Sequence, residues 1–446
     1  MNDEALNPAA PDDALLAALA SQTAGHRRIL VAYSGGLDSS VLLHLLVRLR
    51  QERQLDIRAA YVHHGLNPLA ENWAEHCSRQ CRQWRVPFAR LAVTVAAQNG
   101  GIEAAAREAR YRALRTHLRD DEILLTAQHL DDQSETFLLA LKRGSGPAGL
   151  SAMAASAALG EHRLLRPLLE FTRQRLAQYA RHHQLEWIED DSNQDERFDR
   201  NFLRHRVLPL LTRRWPHFPA AAARSARLCA EQEQLLDELL AASLRELRRP
   251  DGALSIEGLL PLSPLRRFAL LRRWLAGENA PMPSREQLQR LWDEVAVSRQ
   301  DAEPVLQLGR RQIRRFRQHL YLLPLLPAVK GRVVPWSSFT TPLTLPEGLG
   351  QLSLADKGTA VRAPAEGERV SVRFGAAGVV YAAGRRHGRQ IKKLWQELAV
   401  PPWWRDRTPL VFYDEQLIAA VGRFVTWEGR PKEGEPVWHF VWREGG

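Results

Sequence analysis

The stretch "ILVAYSGGLDSSVLLHLL", residues 29–46, runs from one apolar segment through Ser34, Gly35 and Gly36 into another. The residues before the turn favour a strand, and after Asp38 the apolar positions Val41, Leu42, Leu45 and Leu46 recur with helical spacing. Gly35 and Gly36 let a ligand approach the main chain, while Ser34, Ser39 and Ser40 place hydroxyls around a helix N-terminus, which attracts anions. Phosphate suits such a turn; the plain alternative is a capped strand-to-helix junction. A Walker loop is excluded, because no Gly-Lys-Ser or Gly-Lys-Thr occurs in the chain. Gly144, Gly146 and Gly149 match the dinucleotide pattern Gly-x-Gly-x-x-Gly, but they follow a helical pattern instead of a strand. That segment reads as a helix stop and loop.

Around the turn, the first 215 residues alternate between strand and helix patterns. Strands are expected at 28–34, 57–64, 88–95, 122–129 and 164–169, and helices at 39–53, 70–85, 102–119 and 131–143. The alternation predicts an α/β domain with a doubly wound parallel sheet, in which ligands sit beyond the carboxyl ends of the strands. "SGGLDSS", "HHGLNP" and "QHLDDQSE" all fall on that rim. Asp131, Asp132 and Glu135 lie at helix-start spacing and suit magnesium or an amine; as an alternative they cap the helix and oppose its dipole. His63, His64 and His129 at strand ends read as hydrogen-bonded structural residues. Arg107 and Arg110, three apart on a helix, reach a phosphate or a polar substrate edge, or else form exposed salt bridges. Arg200, Asn201 and Arg204 share a side of a later helix and either clamp a nucleotide or close the domain.

The 446 residues suggest about three domains, and 45% hydrophobic content is ample for their cores. The opening "MNDEALNPAAPDDALLAALA" is acidic where a secretory signal needs basic residues, and no apolar run approaches the roughly 18 residues that span a bilayer. A cytoplasmic protein without a membrane partner is expected. Three cysteines make no disulfide framework, and Cys77 and Cys81, four apart, read as one helix face. The net charge of +11 gathers in two places: Arg310, Arg311, Arg314, Arg315 and Arg317, and "GRRHGRQIKK" at 384–393, near Trp395, Trp403 and Trp404. Cations interleaved with aromatics suit RNA phosphates and unstacked bases; a solvated face over core tryptophans is the alternative.

Together, "SGGLDS", "VHHGLNP", "EAAAREARYRAL", "QHLDDQSETFLLALKRGSGPAGLSAM", "RPLL", "WIEDDSNQD", "RNFLRHRVLP" and "KKLWQELAVPPWWRDRTPL" resemble the tRNA(Ile)-lysidine synthases in their longer bacterial form, members of the PP-loop ATP pyrophosphatase superfamily. The likeness spans nearly the whole chain. One departure is Gln128, where many members have a first histidine before the carboxylates. The resemblance implies ATP with Mg2+, free L-lysine, and a tRNA(Ile) with a CAU anticodon whose wobble cytidine is adenylated and then attacked by the lysine ε-amine. It implies a phosphate cradle of Ser34, Gly35, Gly36, Leu37, Asp38 and Ser39, magnesium at Asp38 and Asp131, and catalytic roles for Asp38, Asp132, Glu135 and Arg110. Asp132 and Glu135 would hold the lysine, with Arg107, Arg200, Asn201 and Arg204 also around the substrates. A homodimer is possible.

By the same resemblance, 1–215 is the ATP-binding catalytic domain, 216–250 a helical linker, and 251–330 and 340–446 two tRNA-binding domains, mostly helical and small α+β respectively. Arg315, Arg317, Arg385, Arg386, Arg389, Lys392 and Lys393 are the expected RNA contacts. Two rivals remain: a PP-loop tRNA thiolase, which typically needs reactive or cluster-binding cysteines, and a non-catalytic RNA-binding protein on an old nucleotide fold.

Overall fold

The computed structural model describes residues 11–65, 67–95, 101–190, 194–299 and 302–445; residue 66 of "HHGLNP" and residues 191–193 of "WIEDDSNQD" lie outside these. The chain forms two compact units, divided between Asp237 and Glu238.

In the first unit, α1 (Pro11–Gln22) precedes β1 (Arg28–Ala32), α2 (Leu37–Glu52), β2 (Asp56–His63), α3 (Ala70–Gln83), β3 (Phe88–Ala92), α4 (Gly101–His117), β4 (Glu122–Leu125) and α5 (Leu130–Lys142). The sheet order is β3-β2-β1-β4-β6-β5, where β5 is Ser156–Leu159 and β6 is His162–Leu165. Neighbours from β3 to β6 run parallel, with Arg28 beside both Asp56 and Glu122, and β5 pairs antiparallel with β6. Both faces of the central strands are covered, which explains their continuous apolar runs. Ile29, Val31, Ile123 and Leu125 pack with Val41, Leu42 and Leu45 of α2, whereas Leu30, Leu124 and Leu164 pack with Leu114 of α4. The expected strand at 164–169 thus ends at Leu165 and gains an antiparallel partner that the sequence pattern did not reveal. "GSGPAG" is a loop that also starts a short helix, α6 (Pro147–Leu150).

The chain winds outward from β1 to β2 and β3, then returns to place β4 on the other side of β1. Helices leaving β1 and β4 therefore diverge, and a crevice opens between the starts of α2 and α5. At the opposite end of the sheet the buried Glu122 accepts two hydrogen bonds from Arg58, at 2.9 and 2.7 Å, and one from the Arg119 main chain. On the α2 face, α7 (Arg173–His182) closes the layer: Asp12 accepts from Arg48 at 2.9 Å and from His183 at 2.7 Å, tying α1, α2 and the end of α7 together. A short helix, α8 (Asp199–Phe202), widens into a π-turn at Leu203–Val207 before α9 (Leu208–Arg214).

The helix α10 (Phe218–Leu247) contains the division between the units. In the second unit, a core around Trp274, Leu270, Leu291 and Ile313 joins helices to an antiparallel sheet of Leu254–Ser255, His319–Pro324, Arg311–Phe316 and Val305–Leu308, in that order. After it, two antiparallel sheets of five and three strands enclose Phe374, Tyr413 and Phe440. Trp395 and Trp403 are buried and Trp404 half-buried, so these tryptophans belong to the core. Among the described residues no helix is long and apolar enough to cross a membrane.

Candidate active site

The turn after β1 is held by its own hydroxyls. Ser39 donates to the Gly36 carbonyl at 3.0 Å, lies 3.0 Å from the Ser34 hydroxyl, and accepts the Ser34 main-chain N–H at 3.3 Å. Gly35 has φ +79°, and a Cβ there would lie 2.6 Å from Ile188 Cδ1 and 2.8 Å from Cys77 Sγ. Its carbonyl accepts the Ile188 N–H at 2.8 Å. Gly35 is thus required twice, by backbone conformation and by the ledge that Ile188 and Cys77 form under the turn. Neither residue was identified as part of the site from sequence; their contact with the turn is long-range and has no local signal. No side chain caps α2 at Gly36, which leaves the helix start facing the crevice without a built-in acceptor.

Across the crevice, His129 caps α5. Its ring accepts the Asp132 N–H at 3.4 Å while Asp132 accepts the His129 N–H at 3.0 Å. The ring, 2% exposed, is surrounded by carboxylates: Asp38 at 3.6 Å and Asp132 at 3.5 Å from Nε2, and Asp131 at 3.5 Å from Nδ1. Burial pulls its pKa down, but the three carboxylates outweigh that and raise it. Burial raises the Asp38 carboxyl, against the opposing pull of His129 and Arg173. Its Oδ1 is buried and accepts no hydrogen bond. Asp131 is differently engaged: its Oδ2 accepts the Arg173 N–H at the start of α7, at 2.8 Å. Although burial opposes it, that bond and His129 hold its carboxyl low. The structure therefore sets Asp38 and Asp132 on the same nitrogen of His129, with Asp131 on the other.

Glu135 is fully buried and faces two arginines. Arg204 reaches it at 2.7 and 3.0 Å and Asp132 Oδ1 at 3.0 Å; Arg200 reaches Glu135 at 3.1 Å and the Thr136 hydroxyl at 3.3 Å. Burial raises the Glu135 carboxyl despite these cations. The π-turn that follows α8 carries Arg204, and such turns recur at functional sites. The buried Asn201 donates to the Asp195 carbonyl at 3.0 Å.

Between the two halves lies a cavity of ≈ 220 Å³ whose wall includes Ser34, Gly36, Asp38, Ser39, Arg110 and Asp132. Arg110 borders it and donates towards His64 at 3.4 Å. Arg107 is exposed and stacks 5.1 Å above the Tyr111 ring. Gln128, at the departure from the family pattern, also lines the cavity and accepts from Thr126.

In the second unit, the Arg315 guanidinium is committed to main-chain carbonyls of Ala296, Ser298 and Arg317, while Arg317 is exposed. Arg385 pairs with Glu397, Arg389 lies 3.9 Å from the same carboxylate, and Arg386, Lys392 and Lys393 are exposed.

Three family models match the chain: a PP-loop domain over residues 11–211, a TilS substrate binding domain over 254–321, and a TilS substrate C-terminal domain over 370–442. A tRNA(Ile)-lysidine synthase of Pectobacterium atrosepticum is 73% identical over 97% of this chain and 98% of its own length. The chain belongs to the tRNA(Ile)-lysidine synthase family. Further relatives of that name are those of Serratia proteamaculans, 61% identical over 96% of this chain and 99% of theirs, and Escherichia coli O157:H7, 56% identical over 94% and 96%. The hydroxyl-lined turn is the PP-loop of this ATP-using family, and the two later matches fall on the second unit.

Proposed function

We propose that this chain joins free lysine to the wobble cytidine of a CAU-anticodon tRNA(Ile), in the cytoplasm, at the cost of one ATP cleaved to AMP and pyrophosphate. The supporting observation is the crevice itself, where the PP-loop and the start of α2, which carries Asp38, share one cavity with Asp132 at the start of α5. The loop amides and hydroxyls of Ser34 to Ser39 receive the phosphates, and Arg110 at the cavity wall offsets charge as pyrophosphate departs. The cytosine carbonyl oxygen attacks the α-phosphorus; the lysine ε-amine then attacks the activated carbon, and AMP leaves with the oxygen. Arg107, Arg200 and Asn201 complete the surrounding of the substrates.

The lysine arrives as an ammonium and must react as an amine. Asp132 and Glu135 are its acceptors, and both are now held by Arg204. The ammonium would take over donor positions that Arg204 fills, since a buried carboxylate keeps a cationic partner at all times.

Magnesium fits the donor set on one observation: the buried Asp38 Oδ1 has a lone pair that no hydrogen bond uses. Asp38 would hold the ion, since Asp131 is engaged by the Arg173 N–H and His129, and Asp132 by Arg204 and the His129 N–H. When bound, the ion neutralises charge on the departing pyrophosphate. Sulfur transfer is disfavoured by the cysteines: burial pushes the Cys81 thiol up to about 12 and raises Cys77 as well.

The test is to incubate protein, ATP, magnesium, lysine and the tRNA, then digest the RNA and weigh its nucleosides. A cytidine heavier by one lysine less one water, with AMP and pyrophosphate, is expected. Release of ADP and phosphate refutes the PP-loop chemistry, sulfur incorporation selects the thiolase, and no ATP turnover selects the non-catalytic RNA binder.

A further inference from the structure

The basic segment 384–393 borders an aromatic ledge that its sequence does not announce. Val379–Val380 pairs antiparallel with Arg389–Gln390, so Tyr381 falls opposite Gly388. On its other side Ala382 bridges Thr426 antiparallel, which sets Tyr381 directly opposite Trp427; the Trp427 N–H donates to the Tyr381 carbonyl at 2.8 Å. Directly opposed residues of antiparallel strands share a face, so Gly388, Tyr381 and Trp427 form one row. Gly388 makes the row possible: a Cβ there would lie 2.9 Å from the Tyr381 ring and 2.6 Å from Val379. Thr426, buried and bonded to the Leu417 and Ile418 carbonyls at 2.8 and 2.9 Å, anchors the strand behind Trp427. The indole N–H donates to the Arg385 carbonyl at 3.2 Å, which fixes one edge of the ring.

These side chains are nevertheless open to solvent: Trp427 is 59% exposed, Tyr381 54% and Val379 52%. Single exposed apolar residues are ordinary, but two aromatics and a valine in register on one face are a surface patch. Its rim carries a cation: Arg386 is exposed and follows Arg385, whose carbonyl holds the Trp427 indole, whereas Arg389, opposite the buried Val380, falls on the other face. An aromatic face gives a base something to stack on whatever its identity, and the neighbouring Arg386 matches a phosphate beside it.

We propose that the Tyr381–Trp427 row is a stacking platform for an unpaired nucleotide of the RNA substrate, with Arg386 on a flanking phosphate. This rests on the RNA-modifying function argued above and adds what the second unit reads there: a single-stranded base instead of duplex backbone alone. The full-length protein is titrated with a fluorescein-labelled five-nucleotide single strand, with a blunt RNA duplex of equal phosphate number, and with the CAU-anticodon tRNA. W427A is expected to weaken the single strand and the tRNA by roughly 5- to 150-fold, the effect of losing one base stack, and to leave the duplex within about twofold. W427F, which keeps a ring, should restore most of the loss, and Y381A should weaken the single strand without altering the melting temperature. Unchanged single-strand binding in both W427A and Y381A overturns the platform, as does an equal loss for single strand and duplex, which would make the face purely electrostatic. Lysidine formation by the unaltered protein is scored separately, so failure of that chemistry is distinguishable from failure of the platform.

Discussion

Replacing Gly35 by alanine tests how the PP-loop is held. Two costs follow from its geometry. An L-residue at φ +79° carries about 1–2 kcal/mol of backbone strain. The added methyl would also stand 2.6 Å from Ile188 Cδ1 and 2.8 Å from Cys77 Sγ; overpacking of this kind costs about 1–3 kcal/mol, because Cys77 is wholly buried and has nowhere to retreat. The sum, about 2–5 kcal/mol, appears in one of two measurements. If the loop keeps its shape, the cost is in stability, and the first unit melts lower by about 2–4 °C per kcal/mol. If the loop shifts instead, melting is preserved and the cost is in catalysis, at about tenfold in pyrophosphate release per 1.4 kcal/mol. Thermal melting and pyrophosphate release are therefore measured on G35A, I188A and the double variant. Ile188 is the flexible part of the ledge, so I188A should relieve the shorter contact and recover about 0.5–3 kcal/mol in the double variant, leaving the backbone strain in place. G35A with unaltered melting and unaltered pyrophosphate release would refute both costs, and strict additivity in the double variant would refute the Ile188 contact.

Asp38→Asn should lower adenylation by roughly 100-fold or more while leaving tRNA affinity within about twofold, since the acid lies in the crevice of the first unit and the basic surface in the second; radiolabelled AMP transfer and filter binding measure the two, and equal loss of both would refute the assignment. Glu122→Gln should cost roughly 3–5 kcal/mol at neutral pH by leaving the Arg58 guanidinium buried without its counter-charge. Burial opposes it, but Arg58 and the Arg119 N–H hold the Glu122 carboxyl below its usual range, so its contribution is present above the unfolded pKa and lost as pH falls through the folded one. The melting difference between E122Q and the unaltered chain should accordingly shrink on acidification, and a difference that grows would contradict the pairing. Arg389→Ala with Lys392→Ala should lower the slope of log K against log salt for tRNA by roughly 0.7–0.9 per lost phosphate contact and leave the KM for ATP unchanged. An unchanged slope would make that segment a solvated face.

The parallel sheet was legible because its strands are buried on both faces and read as continuous apolar runs. The hairpin strand Ser156–Leu159 was not, since "SAAL" is short and weakly apolar and is recognised only through its partner. At the site, the PP-loop and the carboxylates of α5 are local patterns, whereas the cations that neutralise Glu135 come from 65 and 69 residues away. Spacing alone grouped three acids at a helix start and read Arg200 and Arg204 as a clamp or a domain closure; the fold had to bring those arginines onto Glu135. The basic clusters make a different point. Five arginines within eight residues look like one surface, yet a strand turns alternate side chains to opposite faces. Ile313 is wholly buried, and Arg315, two residues on, is turned to the same side, where its guanidinium meets the carbonyls of Ala296 and Ser298. A period of two puts Arg315 on the same face as the exposed Arg317, so the sequence carried no signal that Arg315 alone is taken up by distant carbonyls. Trp427 is the converse case: it is remote in sequence from residues 384–393 and joins them only through the pairing of Ala382 with Thr426. Charge density along a chain therefore locates a polyanion surface only after tertiary hydrogen bonds and strand pairing have divided it. On that division Arg386 remains with the aromatic row, and the half-buried Arg315 is held by the main-chain carbonyls of Ala296, Ser298 and Arg317.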